Sequence, residues 1–211
     1  RANIQLTIQT GSTPTVVEVG NGTGTALTGP FNTSWGYSFL EALYPASEIG
    51  TGGTITHVAY HLQSPSAYHN EVVFYMKNVS TTAFTGVSDV VPVTSADIVY
   101  QGAFDFPASE GWVNLELDTP FEYDGTSTLM IACDENTPGP KARYFYYTDV
   151  PNSMFQYIDD NINIDPYNLG SFGGTVAAGN KRANIQLTIQ TGSTPTVVEV
   201  GNGTGTGMIG P

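Results

Sequence analysis

A segment of 25 residues occurs twice in this chain without a single difference. Residues 1–25, RANIQLTIQTGSTPTVVEVGNGTGT, recur as residues 182–206, an offset of 181 residues. The copies then diverge, because ALTGP follows the first and GMIGP follows the second. Self-similarity at a fixed period is the mark of tandem arrays. We therefore expect one period of such an array, in which the tail of one module precedes a complete module and the head of the next follows it.

The module boundary follows from the pattern within the repeat. Ile185, Leu187 and Ile189 alternate with polar residues, which is typical of a half-buried β-strand. Gly-Ser-Thr-Pro then interrupts the pattern before a new apolar run begins. The resulting division is residues 1–10 as the last strand of the preceding repeat, 11–14 as a linker, 15–191 as a complete β-sandwich module, and 192–211 as a linker with the start of the next repeat.

The two copies of the strand IQLTI compete for one position in a sheet. Burial of its three apolar side chains is worth roughly 5–9 kcal/mol as an upper bound. In a covalent array each module closes with its own final strand, whereas in a strand-exchanged homopolymer a neighbouring chain donates it. The sequence leaves both arrangements open. The predicted contact residues between neighbouring units are Ile4, Leu6, Ile8, Ile185, Leu187 and Ile189.

Short strand patterns recur between the two copies, and most are bounded by Gly, Pro, Asn or Asp. Helical patterns are confined to single turns, at 46–49 and 81–84. Many strands without crossover helices predict an all-β fold, specifically an antiparallel two-sheet jelly-roll-like sandwich with one buried and one solvated face per strand. In such a fold residues 15–19 and 183–191 should lie in the same region. The predicted strands are 54–63, 71–78, 96–102, 112–118, 127–134, 141–148 and 153–158.

Composition excludes several classes of protein. Nineteen acidic residues against six basic ones give a formal net charge of −13, which argues against a nucleic-acid partner. No apolar run approaches the roughly 20 residues of a membrane span. The single cysteine, Cys133, shares a predicted strand face with Leu129 and Ile131, so we expect it to be a buried apolar residue. The scarcity of lysine and the many Thr, Ser, Asn and Gly residues favour a secreted or cell-surface protein.

An ordered set of short motifs resembles a known class of module. The motifs are YPASEIG at 44–50, GGTIT at 52–56, YMKNVS at 75–80, the run from GWV to LDTPF at 111–121, and YDGTS at 123–127. In this order they resemble the β modules of large secreted or surface proteins of Bacteroidota-type bacteria, related in character to cleaved-adhesin and haemagglutinin-like jelly rolls. The resemblance spans most of 44–191. It implies an extracellular location and an adhesive or scaffolding role beside carbohydrate-rich partners, with no catalytic residue set.

Acidic loops are the sites where a metal ion is most plausible chemically, because Ca²⁺ takes oxygen ligands from Asp, Asn and backbone carbonyls. The densest group contains Asp159, Asp160, Asn161 and Asp165. Two further groups are Asp134, Glu135 and Asn136, and Asp118 with Glu122 and Asp124. None of the three groups has EF-hand spacing, and Asx turns with solubilising charges explain the same residues. Structural calcium at the densest group is the alternative, and the sequence predicts no other cofactor.

Exposed aromatic residues are the candidates for glycan recognition. Trp112 and Tyr146 are the principal ones, with Trp35 and Tyr167 as further members of a groove, although packing between modules explains the same residues. The common catalytic motifs of hydrolases, metalloproteases and phosphate-binding enzymes are absent from the sequence, so we expect a non-enzyme. The favoured function is a structural or adhesive repeat of an extracellular fibre that assembles through its terminal strands. A carbohydrate-binding module is the alternative.

Overall fold

The computed structural model describes residues 13–66 and 68–192, together with the backbone of two further strands at the ends of the chain. The described strands are β1 (Ile4–Ile8), β2 (Thr15–Val19), β3 (Gly24–Ala26), β4 (Tyr37–Tyr44), β5 (Gly53–Leu62), β6 (His69–Val79), β7 (Ile98–Asp105), β8 (Gly111–Tyr123), β9 (Thr128–Glu135), β10 (Phe145–Asp159), β11 (Thr175–Ala183), β12 (Ile185–Gln190) and β13 (Thr196–Val200). A single-turn helix, α1 (Ala46–Ile49), and three short 3-10 turns are the described helical elements. The fold is nearly all-β, as the sequence predicts.

Eleven of these strands form one antiparallel sheet. Its path runs β2-β12-β5-β10-β4-β9-β6-β7, with β8 beside β5 and with β3 and β11 beside β10. The 15-residue strand β10 shifts register between Asp149 and Met154, so that Phe145 pairs with β5 and the later residues pair with β4. Strand β10 therefore joins the strands β2, β12, β5 and β8 to the strands β4, β9, β6 and β7.

The main hydrophobic core takes side chains from both of these groups of strands. Val58 and Leu115 contribute from the first group, and Phe74 and Ile131 contribute from the second. Cys133 belongs to the same cluster and is 1% exposed. The predicted burial of this thiol is confirmed.

A second hydrophobic cluster covers the opposite face of β4 and β9. Leu43 and Met130 lie in this cluster, and Phe84 and Ile164 pack on it from the connecting segments. Both strands are therefore buried on both faces. The expectation of one solvated face per strand is wrong here, and it is also wrong for Tyr75, which is 1% exposed.

The remaining differences from the predicted elements have local causes. The predicted strand 153–158 and the second half of the predicted strand 141–148 are parts of one strand, β10, interrupted only by its register shift, whereas residues 141–144 are not in a strand. Residues 81–84 are not helical, because Phe84 packs against Phe155 with ring centroids 5.9 Å apart while its N–H donates to the carbonyl of Asn152. The helical turn at 46–49 is confirmed as α1.

The described helices contain no segment that has both the length and the apolar character needed to cross a lipid bilayer.

Strand β12 closes the main core at one end of the sheet. It lies between β2 and β5, and its residues Ile185, Leu187 and Ile189 have no exposed surface. The expectation that residues 15–19 and 183–191 lie in the same region is confirmed, since β2 and β12 pair directly.

Replacing Leu187 by Ala should lower the free energy of unfolding by about 2–5 kcal/mol, because the change leaves a cavity at a fully buried position. The matched control is Thr188→Ala, a half-buried neighbour on the other face of β12, which should cost about 1 kcal/mol or less. Urea denaturation followed by tryptophan fluorescence measures both. Equal costs for the two variants would contradict the placement of β12.

Candidate functional site

The most distinctive site of the molecule is the junction where the two repeat copies meet. Strand β2 comes from the first copy and β12 from the second, and they pair with Ile185 opposite Val19 and Ile189 opposite Thr15. The remaining halves of the two copies, β1 and β13, form a separate two-stranded sheet. There Ile4 lies opposite Val200. These two residues are the equivalents of Ile185 and Val19 in the other copies, so the register of the two pairs is the same.

Asn184 anchors the start of the second copy to the first. Its side-chain amide donates to the carbonyl of Gly22 over 2.8 Å, and its Oδ1 accepts a hydrogen bond from the Thr148 hydroxyl over 2.8 Å. Its backbone N–H donates to the carbonyl of Tyr146. Gly20 has φ +89°, and a Cβ there would lie 2.7 Å from the Asn184 Oδ1. The close approach of the two copies at this point therefore requires glycine.

Arg182 provides a second anchor at the same end of β12. It is 1% exposed, donates to the carbonyl of Leu43 over 3.0 Å and forms an ion pair with Glu48. Its guanidinium lies over the ring of Tyr44, 4.9 Å from the centroid. The Tyr44 hydroxyl donates to the carbonyl of Ala183 over 3.1 Å. A buried, paired arginine of this kind is costly to disrupt, since its removal leaves partner groups unpaired.

The junction thus uses different parts of the same repeated sequence. The second copy supplies β12 with the Arg182 and Asn184 anchors, and the first copy supplies β2 with the glycine at position 20. Among the described strands β2 pairs with β12 alone, so its other edge carries unpaired backbone groups. Val16 on this edge strand is 59% exposed.

The predicted contact residues are divided between two environments. Ile185, Leu187 and Ile189 lie in this chain's own core, so they could contact another subunit only if β12 left its position. Ile4, Leu6 and Ile8 lie on β1 and pair with β13, and their side chains are outside the described residues.

The two principal glycan candidates lie on either side of a histidine. Trp112 of β8 stacks on His61 of β5, with ring centroids 4.6 Å apart and planes at 15°. Tyr146 of β10 contacts the same imidazole, with centroids 4.4 Å apart. The Tyr146 hydroxyl donates to the Glu110 carboxylate over 2.9 Å. No role for His61 follows from the sequence, because its register opposite Trp112 depends on the pairing of β5 with β8.

The two further aromatic candidates lie outside the row of stacked rings formed by Trp112, His61 and Tyr146. Tyr167 lies against Tyr75, with ring centroids 6.3 Å apart and hydroxyls 3.2 Å apart. Trp35 makes no ring contact with His61, Trp112 or Tyr146 among the described residues.

The residues of the predicted calcium group are engaged separately. The Asp159 carboxylate accepts from the N–H groups of Asn161 and Ile162, as in an Asx turn. Asp160 accepts from the N–H of Gly36, and Asp165 accepts from the N–H of Tyr167. Within residues 13–66 and 68–192, no three His, Cys, Asp or Glu side chains come close enough to hold a metal ion. Calcium at this group stays a prediction without geometric support.

Three buried carboxyl groups lie on β4 and β9, namely Glu41, Asp134 and Glu135. Asp134 and Glu135 belong to one of the acidic groups that the sequence offers for a cation, whereas Glu41 has no such signal. Burial raises the pKa of Glu41 to about 8, of Glu135 to about 7 and of Asp134 to about 6. Glu41 accepts from the N–H of Val91 over 2.9 Å, which lowers its pKa less than burial raises it. Glu135 accepts from the side chain of Asn70 over 2.6 Å. Glu41 is hidden from pattern analysis because a carboxylate on a strand normally marks a solvated face.

No protein-family model, no curated protein and no solved structure matches this chain.

The free energy of unfolding should fall as the pH rises from about 5 to about 8. The folded chain holds the Glu41 proton up to a pKa of about 8, whereas the unfolded chain releases it near 4.5, so the folded state binds more protons in this interval. The slope is up to about 1.4 kcal/mol per pH unit for each such proton.

Glu41→Gln keeps the acceptor for Val91 and should remove a large part of this slope. Glu116→Gln changes an exposed carboxylate and should leave it unchanged. Urea denaturation at several pH values gives the slopes. A Glu41→Gln protein with the original slope would show that this group does not hold its proton.

Proposed function

We propose that this chain is a structural or adhesive module of a tandem array, a bead that closes with its own last strand and is joined to like beads through short Gly-Ser-Thr-Pro linkers. The setting we propose is extracellular or at the cell surface, which the scarcity of lysine and the abundance of Thr, Ser, Asn and Gly favour. The bead itself is a two-sheet, jelly-roll-like sandwich in this proposal.

The observation that carries this proposal is the shared register of the two junction pairs. Strand β2 of the first repeat copy pairs with β12 of the second copy and closes the sheet. Strands β1 and β13, which have the same sequences as β12 and β2, pair with each other in the same register. A 25-residue identity is explained if each repeat must complete the module before it and begin the module after it. The same duplication has no evident use within a solitary domain.

Closure by the chain's own strand is favoured over strand exchange by connectivity. Strand β11 ends at Ala183 and β12 begins at Ile185. The strand of the second copy therefore reaches its position between β2 and β5 without a linker. The Arg182 and Asn184 anchors then hold this end in place. A strand from another chain would have to compete with this very high effective concentration.

The sandwich arrangement is supported by the two groups of strands that share one core. The main cluster combines side chains of β5, β8 and β12 with those of β4, β6 and β9. Strand β10 takes part in both groups, as a strand crossing between two layers would. Net charge supports the array, because beads of charge −13 repel one another and favour an extended chain.

Cysteine pairs test which copy of the strand closes the module. Val16 faces Thr188 across the junction, so Val16→Cys with Thr188→Cys should give a cross-linked monomer with a short thiol reagent. The matched control is Val16→Cys with Thr7→Cys, where Thr7 is the equivalent of Thr188 in the first copy. This pair should give no cross-linked oligomers. The native Cys133 is buried and is present in both double variants, so it does not distinguish them.

A ladder of oligomers from the Thr7 pair would show strand exchange and overturn closure by the chain's own strand.

The array itself is tested with a two-period protein, made by adding residues 26–206 after Thr206. Negative-stain electron microscopy should show two separate beads that unfold at the midpoint of the single period. One merged particle, or two different midpoints, would contradict the proposal.

A carbohydrate-binding module is the second candidate, and the row of Trp112, His61 and Tyr146 favours it. Because His61 covers one face of each neighbouring ring, a sugar could stack only on the opposite faces of Trp112 and Tyr146. Under this function, Trp112→Ala and Tyr146→Ala should each abolish binding on a glycan array while the circular dichroism spectrum is retained. Tyr144→Ala, at a 42% exposed tyrosine outside the row, is the control. Absence of glycan binding by the unmodified chain would dismiss this candidate.

A further inference from the structure

A pocket with a mixed polar and apolar lining lies over β6, β7 and β9, away from the junction and from the stacked residues Trp112, His61 and Tyr146. Its volume is about 300 Å³, at the small end of the range for ligand pockets. Val73 and Ile98 form apolar parts of its lining, and Pro166 and Tyr167 come from the segment that follows β10. The other residues of the lining are Glu71, Val72, Tyr75, Gln101, Asp134 and Asn136.

Asp134 is the feature that points to a ligand. It lines this pocket although it is only 5% exposed, and its Oδ1 has no hydrogen-bond partner among the described residues. Its Oδ2 accepts from the side chain of Asn136 over 2.9 Å. A buried carboxylate with one enclosed, unsatisfied oxygen is unfavourable, so a positive charge held in the pocket beside Asp134 would offset part of this cost.

The surroundings of Asp134 favour a cation over other ligands. Glu71 also lines the pocket, and Asp165 is close enough to raise the pKa of Asp134 further. Among the residues that the structure describes, no lysine or arginine lines the pocket. The rings of Tyr75 and Tyr167 meet edge to face, and Tyr167 is 55% exposed, so its ring is accessible to a charged group. Carboxylates beside tyrosine rings are a common setting for ammonium recognition.

A bare metal ion fits this pocket less well than an organic cation does. Calcium takes six to eight oxygen ligands, and no group of three His, Cys, Asp or Glu side chains suited to a metal exists in the described part of the chain. The pocket is also larger than one ion, and its apolar residues offer nothing to a metal. They can pack against the carbon body of an organic ligand.

We propose that this pocket binds a small organic ammonium ion, with Asp134 as its counter-ion and the Tyr167 ring beside it. The ligand class is a protonated primary amine on a ring-sized body, such as a hexosamine. This site is independent of the junction, so it can be present or absent whatever the outcome of the array experiments.

Two matched pairs of probes test the proposal by isothermal titration calorimetry at about pH 7.5. Glucosamine is compared with glucose, and cyclohexylammonium with cyclohexanol, so that each pair differs in the amine alone. Both amines should bind and both alcohols should not. Asp134→Asn should weaken amine binding at least about tenfold, since it removes the negative charge opposite the amine, and Tyr167→Ala should weaken it by a smaller factor.

Asp149→Asn is the charge-matched control, because it removes an exposed carboxylate outside the pocket and should leave binding unchanged. Equal affinity for glucosamine and glucose would instead indicate a neutral sugar site, and calcium binding lost in Asp134→Asn would indicate a metal site. Either result overturns the proposal, as does the absence of amine binding. Retained folding of Asp134→Asn and Tyr167→Ala is checked by circular dichroism.

Discussion

The position of β12 between β2 and β5 is the interaction on which the rest of the structure depends. Three fully buried apolar side chains on this strand complete the main core. Its backbone forms the strand hydrogen bonds with β2 on one side and β5 on the other. Because β2 belongs to one repeat copy and β12 to the other, this pairing also brings distant parts of the chain together. The fold and the proposed array therefore rest on the same set of contacts.

The second constraint is the burial of β4 and β9 on both faces. The segments that carry Phe84 and Ile164 fold back over these strands and remove carboxyl groups from water. Burial there raises the pKa of Glu41 and of Asp134, and the covering segment supplies Pro166 and Tyr167 to the pocket beside Asp134. Stability, pH response and the proposed ligand site thus have one physical origin in these connections.

Strand alternation predicts part of this fold well. Strands β5 and β8 have one apolar face each, and Val113, Leu115 and Leu117 are buried as the pattern indicates. Strand β4 was not predicted, and neither was β11, whose Ala- and Gly-rich sequence forms a strand through pairing with β10. Of the aromatic candidates, Trp112 and Tyr146 lie together, but the histidine between them depends on register across three strands.

The sequence by itself determined the 181-residue offset between two identical segments, the acidic all-β character and the alternating strand pattern that each copy contains. It could not determine which copy of that strand fills the sheet, since identical sequences have identical intrinsic preferences. The tertiary structure decided this through connectivity, because β11 leads directly into β12 and the Arg182 anchor meets Glu48 and Tyr44 there. The tertiary structure also decided which carboxyl groups are buried, because the segments that cover them are distant along the chain.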